Sequence, residues 1–159
     1  MTIKDITNYI EELAPLNYAE EFDNVGLLVG NYNSKVSGIL VTLDTLEETI
    51  DEAIAKKCNL IISFHPIIFS GLKKINGNSY VERVVLKAIK NDIAVYATHT
   101  ALDNSKNGVY SNYQTVVIEQ TIVIGTIPVI HFYVIGRLEI FIFTIESEQH
   151  FEKIAGFVP

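Results

Sequence analysis

Three short apolar runs, separated by helix-forming segments, constrain the fold of this chain more than any other feature. The runs are Gly38–Leu43, Leu60–Ile62 and Ile93–Tyr96. They are rich in β-branched residues and contain almost no polar ones, which is typical of strands buried on both faces of a sheet. The sequence therefore predicts three central strands that follow one another along the chain.

The segments between these runs carry helix-start signals. Thr45–Glu48 and Ser79–Glu82 both have the pattern of a capping box, and the helices they open are predicted to continue to about Lys57 and Lys90. A chain that alternates strand, helix, strand, helix, strand forms parallel pairs with right-handed crossovers. We therefore predict an α/β fold with a parallel-type β-sheet flanked by helices.

The N-terminal residues add a helix and a short strand to this pattern. Apolar residues recur at helical spacing after Thr2, a candidate N-cap, and Pro15 ends the helix. Asp23–Gly26 is a turn signal, and the strand Leu27–Val29 follows it.

The C-terminal part has a different character. Thr115–Ile145 is β-branched, aromatic and poor in charge, which predicts two to four strands. A membrane-spanning helix is disfavoured because residues such as Glu119 interrupt the apolar run, which would need roughly 20 residues. We expect an α/β domain over residues 1–112 and a β-rich C-terminal segment over residues 113–159 that belongs to the same domain.

Composition and charge exclude several classes of function. The chain has 159 residues, 48% of them apolar, which suits one globular domain. Its net charge of −7 opposes binding to nucleic acids and to anionic membranes, because both need a basic surface. The single cysteine, Cys58, suits a reducing compartment, and Met1–Ala14 has no apolar signal core. A cytoplasmic location is the expectation.

Two histidines and an aspartate stand where a ligand site is expected. His65 follows the second apolar run, His99 follows the third, and Asp103 lies four residues beyond His99. Ligands of open α/β sheets bind beyond the carboxyl ends of the strands, so both imidazoles are predicted to emerge at one edge. Imidazole and carboxylate suit a divalent transition metal such as Zn, Fe, Mn or Ni. The alternative is structural: strand-end histidines bound to the backbone, and an Asx turn at Asp103.

Other polar residues have weaker claims to a functional role. We predict that Asp23 and Asn24 form a structural turn, with a place at the rim of a pocket as the alternative. Asp44 either orients a histidine or caps the next helix. The sequence contains no phosphate-binding loop and no nucleophile elbow, and it identifies no catalytic acid or base.

Segments between Phe22 and Val109 resemble the Nif-three-like dinuclear metal-centre family, often labelled GTP cyclohydrolase I type II. They are Phe22–Gly30, Val41–Asp44, Ser63–Phe69, His99–Asn104 and Asn107–Val109. The resemblance covers about Met1 to Tyr110. It implies an α/β domain, two divalent metals with Asp103 as the bridging carboxylate, and a ring-shaped homohexamer. The family label implies hydrolytic opening of the guanine ring of GTP.

The chain departs from the family pattern in three places. Phe64 stands where the family has the first of two consecutive histidines, and Ala101 stands where it usually has asparagine. The family's late His-x-x-x-Glu motif has no match, since neither His131 nor His150 has a glutamate four residues later. We therefore expect one weakly held metal rather than two, with His65, His99 and Asp103 as its ligands.

Two functions follow from the sequence. The first is a metal-binding protein of this family that acts as a metal-dependent hydrolase on a small nucleotide-like substrate. The alternative is a non-catalytic metal-binding or oligomeric interaction protein with a degraded site. Full-length family members are considerably longer, which indicates a truncated form or a domain fragment with an altered tail.

Overall fold

A computed structural model of the chain describes residues 1–106 and, beyond them, only the strands at 122–124, 134–135, 140–146 and 150–156. The helices are α1 (Ile3–Leu13), α2 (Glu47–Ala55), α3 (Tyr80–Lys90) and α4 (His99–Asp103), with a 3₁₀ turn at Leu16–Tyr18. The strands are β1 (Gly26–Val29), β2 (Ile39–Thr42), β3 (Leu60–Ser63), β4 (Ala94–Ala97), β5 (Ile122–Ile124), β6 (Val134–Ile135), β7 (Ile140–Glu146) and β8 (His150–Gly156).

The main sheet has the strand order β1-β4-β3-β2-β5. Its centre is parallel, since β3 pairs in parallel with both β2 and β4, as the alternation of strands and helices predicts. Its edges are antiparallel: β1 pairs with β4 and β5 pairs with β2. The predicted α/β fold is confirmed, and the antiparallel edges are an addition that the sequence pattern did not predict.

The register of the central strands fixes where the candidate ligands emerge. Ile62 lies opposite Tyr96 and Ser63 opposite Ala97, so β3 and β4 end level with each other. The residues that follow both strands therefore lie at the same edge of the sheet.

The N-terminal helix forms as predicted. The Thr2 hydroxyl accepts a hydrogen bond from the Asp5 N–H at 3.3 Å, and the Asp5 carboxylate accepts one from the Thr2 N–H at 2.7 Å. These reciprocal bonds satisfy two N–H groups that a helix start leaves unpaired. Ile3, Ile6 and Ile10 are buried against the sheet.

The two predicted capping boxes have different outcomes. The Ser79 hydroxyl accepts from the Glu82 N–H at 3.2 Å, as expected for the start of α3. Thr45, however, does not cap α2. The helix begins one residue later, where the Leu46 N–H donates to the hydroxyl of Thr49 at 3.1 Å. Among the residues that the structure describes, the buried Thr45 hydroxyl has no hydrogen-bond partner.

Apolar clusters cover the main sheet on both faces. One face packs against α1, with Ile39, Leu60 and Tyr96 at its centre. The other packs against α2 and α3, and it includes Leu40 and Cys58. Sheets covered on both faces hold their strand ends rigidly, which suits a functional site at one edge. Within the described part of the chain, no helix is long and apolar enough to cross a membrane.

The β-rich C-terminal segment lies mostly outside the described residues. Its strands β6, β7 and β8 pair in antiparallel order as a separate sheet. The boundary between residues 1–112 and 113–159 therefore stays a prediction, as does their membership of one domain.

Candidate metal centre

The two candidate histidines meet at the edge where β3 and β4 end. The centroids of the His65 and His99 rings are 5.5 Å apart, and the ring planes are inclined at 71°. Backbone hydrogen bonds hold the segments together beyond the strands: the His99 N–H donates to the carbonyl of Phe64 at 3.0 Å, and the His65 N–H donates to that of Leu43 at 3.0 Å. The predicted convergence of both imidazoles at one edge is confirmed.

His65 is oriented by Asp44. Its Nδ1 lies 2.8 Å from Asp44 Oδ1, and both side chains are about half exposed, at 46% and 52%. A carboxylate only accepts hydrogen bonds, so Nδ1 donates to it and Nε2 is the ring nitrogen left for a ligand. Of the two roles predicted for Asp44, its side chain therefore shows the histidine-orienting one, while Leu46 is the N-cap of α2.

His99 is held more firmly, by Asp23. Its Nδ1 lies 2.9 Å from both carboxylate oxygens of Asp23, whose side chain has no exposed surface. The same carboxylate accepts from the Asn24 N–H at 2.7 Å, from the Thr100 N–H at 3.1 Å and from the Thr100 hydroxyl. Burial raises the pKa of Asp23, but these hydrogen bonds outweigh it and hold the pKa below its usual value. Asp23 is therefore ionised at neutral pH.

The structural role predicted for Asp23 is present, since its N–H donates to the carbonyl of Glu20 in a turn. Its carboxylate also fixes the ring of a candidate ligand. The contact joins residues 76 positions apart in the chain, so no local sequence pattern could indicate it. A carboxylate on the far nitrogen of a histidine is the usual companion of a metal-ligating imidazole.

The backbone of His99 adopts an unusual conformation. Its φ angle is +26°, in a region that L residues rarely occupy. The hydrogen bond to the Phe64 carbonyl and the ring contact with Asp23 hold the residue there. Such strain persists only where surrounding contacts impose it, and it is concentrated at functional sites.

Asp103 lies at the end of α4 with only 8% of its surface exposed. Burial has the largest effect and raises the pKa of Asp103. The charges of His99 and His65 lower this pKa and that of Asp23 raises it, and the net result is a rise. In the described part of the chain no side chain hydrogen-bonds this carboxylate. A buried carboxylate is stabilised by a nearby cation.

Phe64 fills the space beside both imidazoles. Its ring centroid lies 5.0 Å from that of His65 and 5.4 Å from that of His99, in edge-to-face contact with each. Phenylalanine has no lone pair for a metal, so this position offers packing and no ligand. The buried Ala101 likewise carries no donor atom.

Imidazole and carboxylate groups suit a divalent transition metal, although the three candidate ligands are not grouped around one point in this structure. Across residues 1–106, no three His, Cys, Asp or Glu side chains lie close enough together to hold an ion. His65, His99 and Asp103 share one sheet edge, and two of them have carboxylate partners on the far nitrogen. Their role as ligands stays a prediction. The side chains of His131 and His150 lie outside the described residues.

Comparison with known proteins identifies the family. The model of the family described as Duf34/NIF3 (NGG1p interacting factor 3) matches residues 1–151. The chain belongs to the DUF34/NIF3 family. The match continues well beyond Tyr110, where the family motifs recognised in the sequence end.

Relatives within the NIF3 family are about two fifths identical to this chain over the aligned part. It is 44% identical over 109 residues to a "GTP cyclohydrolase 1 type 2 homolog" of Clostridium acetobutylicum, a match that covers 69% of this chain and 41% of that protein. It is 39% identical over 110 residues to human "NIF3-like protein 1", covering 69% of this chain and 29% of that protein. The chain therefore spans less than half the length of these relatives.

Solved structures of similar proteins support the NIF3 fold. The crystal structure of Staphylococcus aureus protein SA1388 matches with a TM-score of 0.66 and 41% identity, covering 69% of this chain and 31% of that one. Reduced HcgD from Methanocaldococcus jannaschii matches with a TM-score of 0.65 and 25% identity, covering 90% of this chain and 54% of that one.

Proposed function

We propose that this NIF3-family chain binds one divalent transition metal through His65, His99 and Asp103, and that it acts as a metal-dependent hydrolase on a small nucleotide-like substrate. One observation carries the proposal: at one sheet edge both imidazoles are held at Nδ1 by a carboxylate, which leaves Nε2 of each ring for a metal, and the buried Asp103 follows His99 in the chain. Zn, Fe, Mn and Ni all accept this mixture of imidazole and carboxylate.

The chain's own residues prepare this site in two ways. Asp23 and Asp44 accept from Nδ1 of the two histidines and so fix the orientation of each ring with Nε2 left for a metal. Asp103 supplies the negative charge that balances the cation. The exposure of His65 gives its ring room to move onto the ion, whereas the contacts of Asp23 hold His99 in place.

Phe64 limits the site to a single ion. Its ring touches both imidazoles, so the apolar side chain occupies the place beside them where a further ligand would have to stand. When bound, a divalent ion supplies Lewis acidity for hydrolysis. The name "GTP cyclohydrolase 1 type 2 homolog" carried by relatives in Clostridium and Bacillus supports a guanine nucleotide as substrate.

A non-catalytic metal-binding protein that works through assembly is the second candidate. The observation that favours it is the same Phe64 ring, together with the spread of the donors along the edge. Under either proposal we expect a homo-oligomer, a hexamer by family resemblance, in the cytoplasm and without a nucleic-acid or membrane partner.

Turnover of GTP separates the two candidates. We expect the zinc- or manganese-loaded chain to convert GTP to a ring-opened product that is heavier by one water, detected by mass spectrometry. Asp103→Asn, which keeps the shape of the side chain but removes its charge, should abolish conversion and weaken metal binding. Metal binding by the wild-type chain without any conversion would favour the second candidate, and no metal binding would contradict both.

A further inference from the structure

We propose that Phe22 and Phe69 form a stacking surface for a planar heteroaromatic ring at the rim of the metal centre. The inference rests on the proposed function, since it names the part of the chain that holds the substrate's ring. Neither residue contributes a metal ligand, so its test is separate from that of the ligands.

Both rings are exposed to an unusual degree. Phe22 is 66% exposed, more than any other large apolar side chain that the structure describes, and Phe69 is 50% exposed. Their centroids lie 6.3 Å apart with planes inclined at 50°, so the two rings form one continuous apolar surface. Single exposed apolar residues are ordinary, whereas two exposed aromatic rings in contact offer a larger apolar surface to a ligand.

This surface leads directly to the candidate metal ligands. The Phe69 centroid lies 6.4 Å from that of His99, in edge-to-face contact, and the His99 ring in turn faces His65 at 5.5 Å. A ring stacked on Phe22 or Phe69 would therefore rest beside the atoms proposed to hold the metal.

Polar contacts, rather than burial, hold the two phenylalanines in place. The Asn24 side-chain amide donates to the carbonyl of Ile68, which ties the segment that carries Phe22 to the segment that carries Phe69. The Thr100 hydroxyl accepts from the Glu20 N–H at 3.0 Å and ties the first segment to α4. A surface fixed in this way loses little conformational freedom when a ligand binds.

The surrounding charges favour a ring with hydrogen-bond donors. Asp44 is half exposed, and only one of its carboxylate oxygens is used by His65, so the other can accept an N–H. A purine-type ring offers both faces for stacking and N–H groups for carboxylates. An aliphatic ligand could use the apolar surface but not these acceptors.

Guanosine binding to the zinc-loaded chain tests the proposal. We expect the double variant Phe22→Ala, Phe69→Ala to bind guanosine about tenfold more weakly or worse, since stacking on one aromatic ring contributes that much per base. Phe22→Tyr, Phe69→Tyr should retain binding because the ring faces remain. Tyr32→Ala is the matched control: Tyr32 is also an exposed aromatic, but it follows β1 at the opposite edge of the sheet.

Metal content and oligomeric state, measured on the same samples, distinguish the outcomes. Both double variants should hold as much zinc as the wild-type chain, because neither phenylalanine is a proposed ligand. If the wild-type chain itself held no zinc, that result would contradict the proposed function rather than the stacking surface. Unchanged guanosine affinity in the alanine variant would overturn the stacking surface. The proposal would also be overturned if the alanine variant dissociated from an oligomer while its guanosine affinity stayed the same. That result would assign the two rings to an interface between copies of the chain.

Discussion

Replacing His99 with alanine is expected to weaken divalent-metal binding by at least about 100-fold, because loss of an outer-shell partner alone costs 10- to 100-fold and here a ligand itself is lost. His99 is the more firmly fixed of the two imidazoles, with both Asp23 oxygens 2.9 Å from its Nδ1. The affinity is measured by competition between the chain and a chromophoric zinc chelator. Urea unfolding of the metal-free variant shows that the loss does not arise from unfolding.

His150→Ala is the matched control for that experiment. The sequence pattern gives His150 no glutamate partner four residues later, and we predict that it is not a ligand. Its removal should leave zinc affinity unchanged. Equal losses in both variants would indicate diffuse binding to exposed histidines, and an unchanged affinity in His99→Ala would contradict its role as a ligand.

Replacing Asp23 with alanine is expected to lower the free energy of unfolding of the metal-free chain by about 2 to 4 kcal/mol. The substitution leaves the His99 ring N–H, the Thr100 N–H and hydroxyl, and the Asn24 N–H without their acceptor in a buried position. Leaving buried donors without an acceptor lowers the free energy of unfolding far more than losing an exposed ion pair does. Urea unfolding at pH 7 measures the effect.

Asp44→Ala is the matched control, because it removes the same kind of aspartate–histidine contact from an exposed place. The contact lies at 2.8 Å with a half-exposed carboxylate, so we expect a loss below about 1 kcal/mol. Similar losses in the two variants would contradict the idea that burial makes the Asp23 network important. Asp44→Ala should nevertheless weaken metal binding about 10- to 100-fold, as an orienting partner does.

The pH dependence of stability gives the Asp23 network a second readout. The folded-state pKa of Asp23 lies below its ordinary value of 3.8, so the network stabilises the fold fully above that value. The stabilisation is lost as the pH falls through the lower, folded-state pKa. Asp23→Ala should therefore flatten the acid limb of the stability curve.

Local patterns in the sequence were sufficient to predict the central fold. The apolar runs are long enough and uniform enough to identify β2, β3 and β4, and Thr2, the candidate N-cap, marks the start of α1. Because parallel neighbours end at one edge, the positions of His65 and His99 followed from the strands alone.

Contacts between distant segments could not be predicted in the same way. The Asp23–His99 pair joins the segment before β1 to the start of α4 at one edge of the sheet, and the turn-forming sequence at Asp23 is equally compatible with a purely structural role. The shift of the α2 cap from Thr45 to Leu46 depends on which of two buried threonine hydroxyls reaches the backbone: that of Thr49 accepts from the Leu46 N–H and donates to the Asp44 carbonyl. The pairing of Phe22 with Phe69 likewise depends on how two loops meet.

The metal content of the wild-type chain tests the central claim most directly. Protein purified without chelator, reloaded with zinc and freed of excess by gel filtration, would be analysed by inductively coupled plasma mass spectrometry. We predict one metal ion per chain, since Phe64 leaves His65, His99 and Asp103 as ligands for a single site. A content of zero would contradict the assignment of all three ligands, and a content of two would contradict the role given to Phe64.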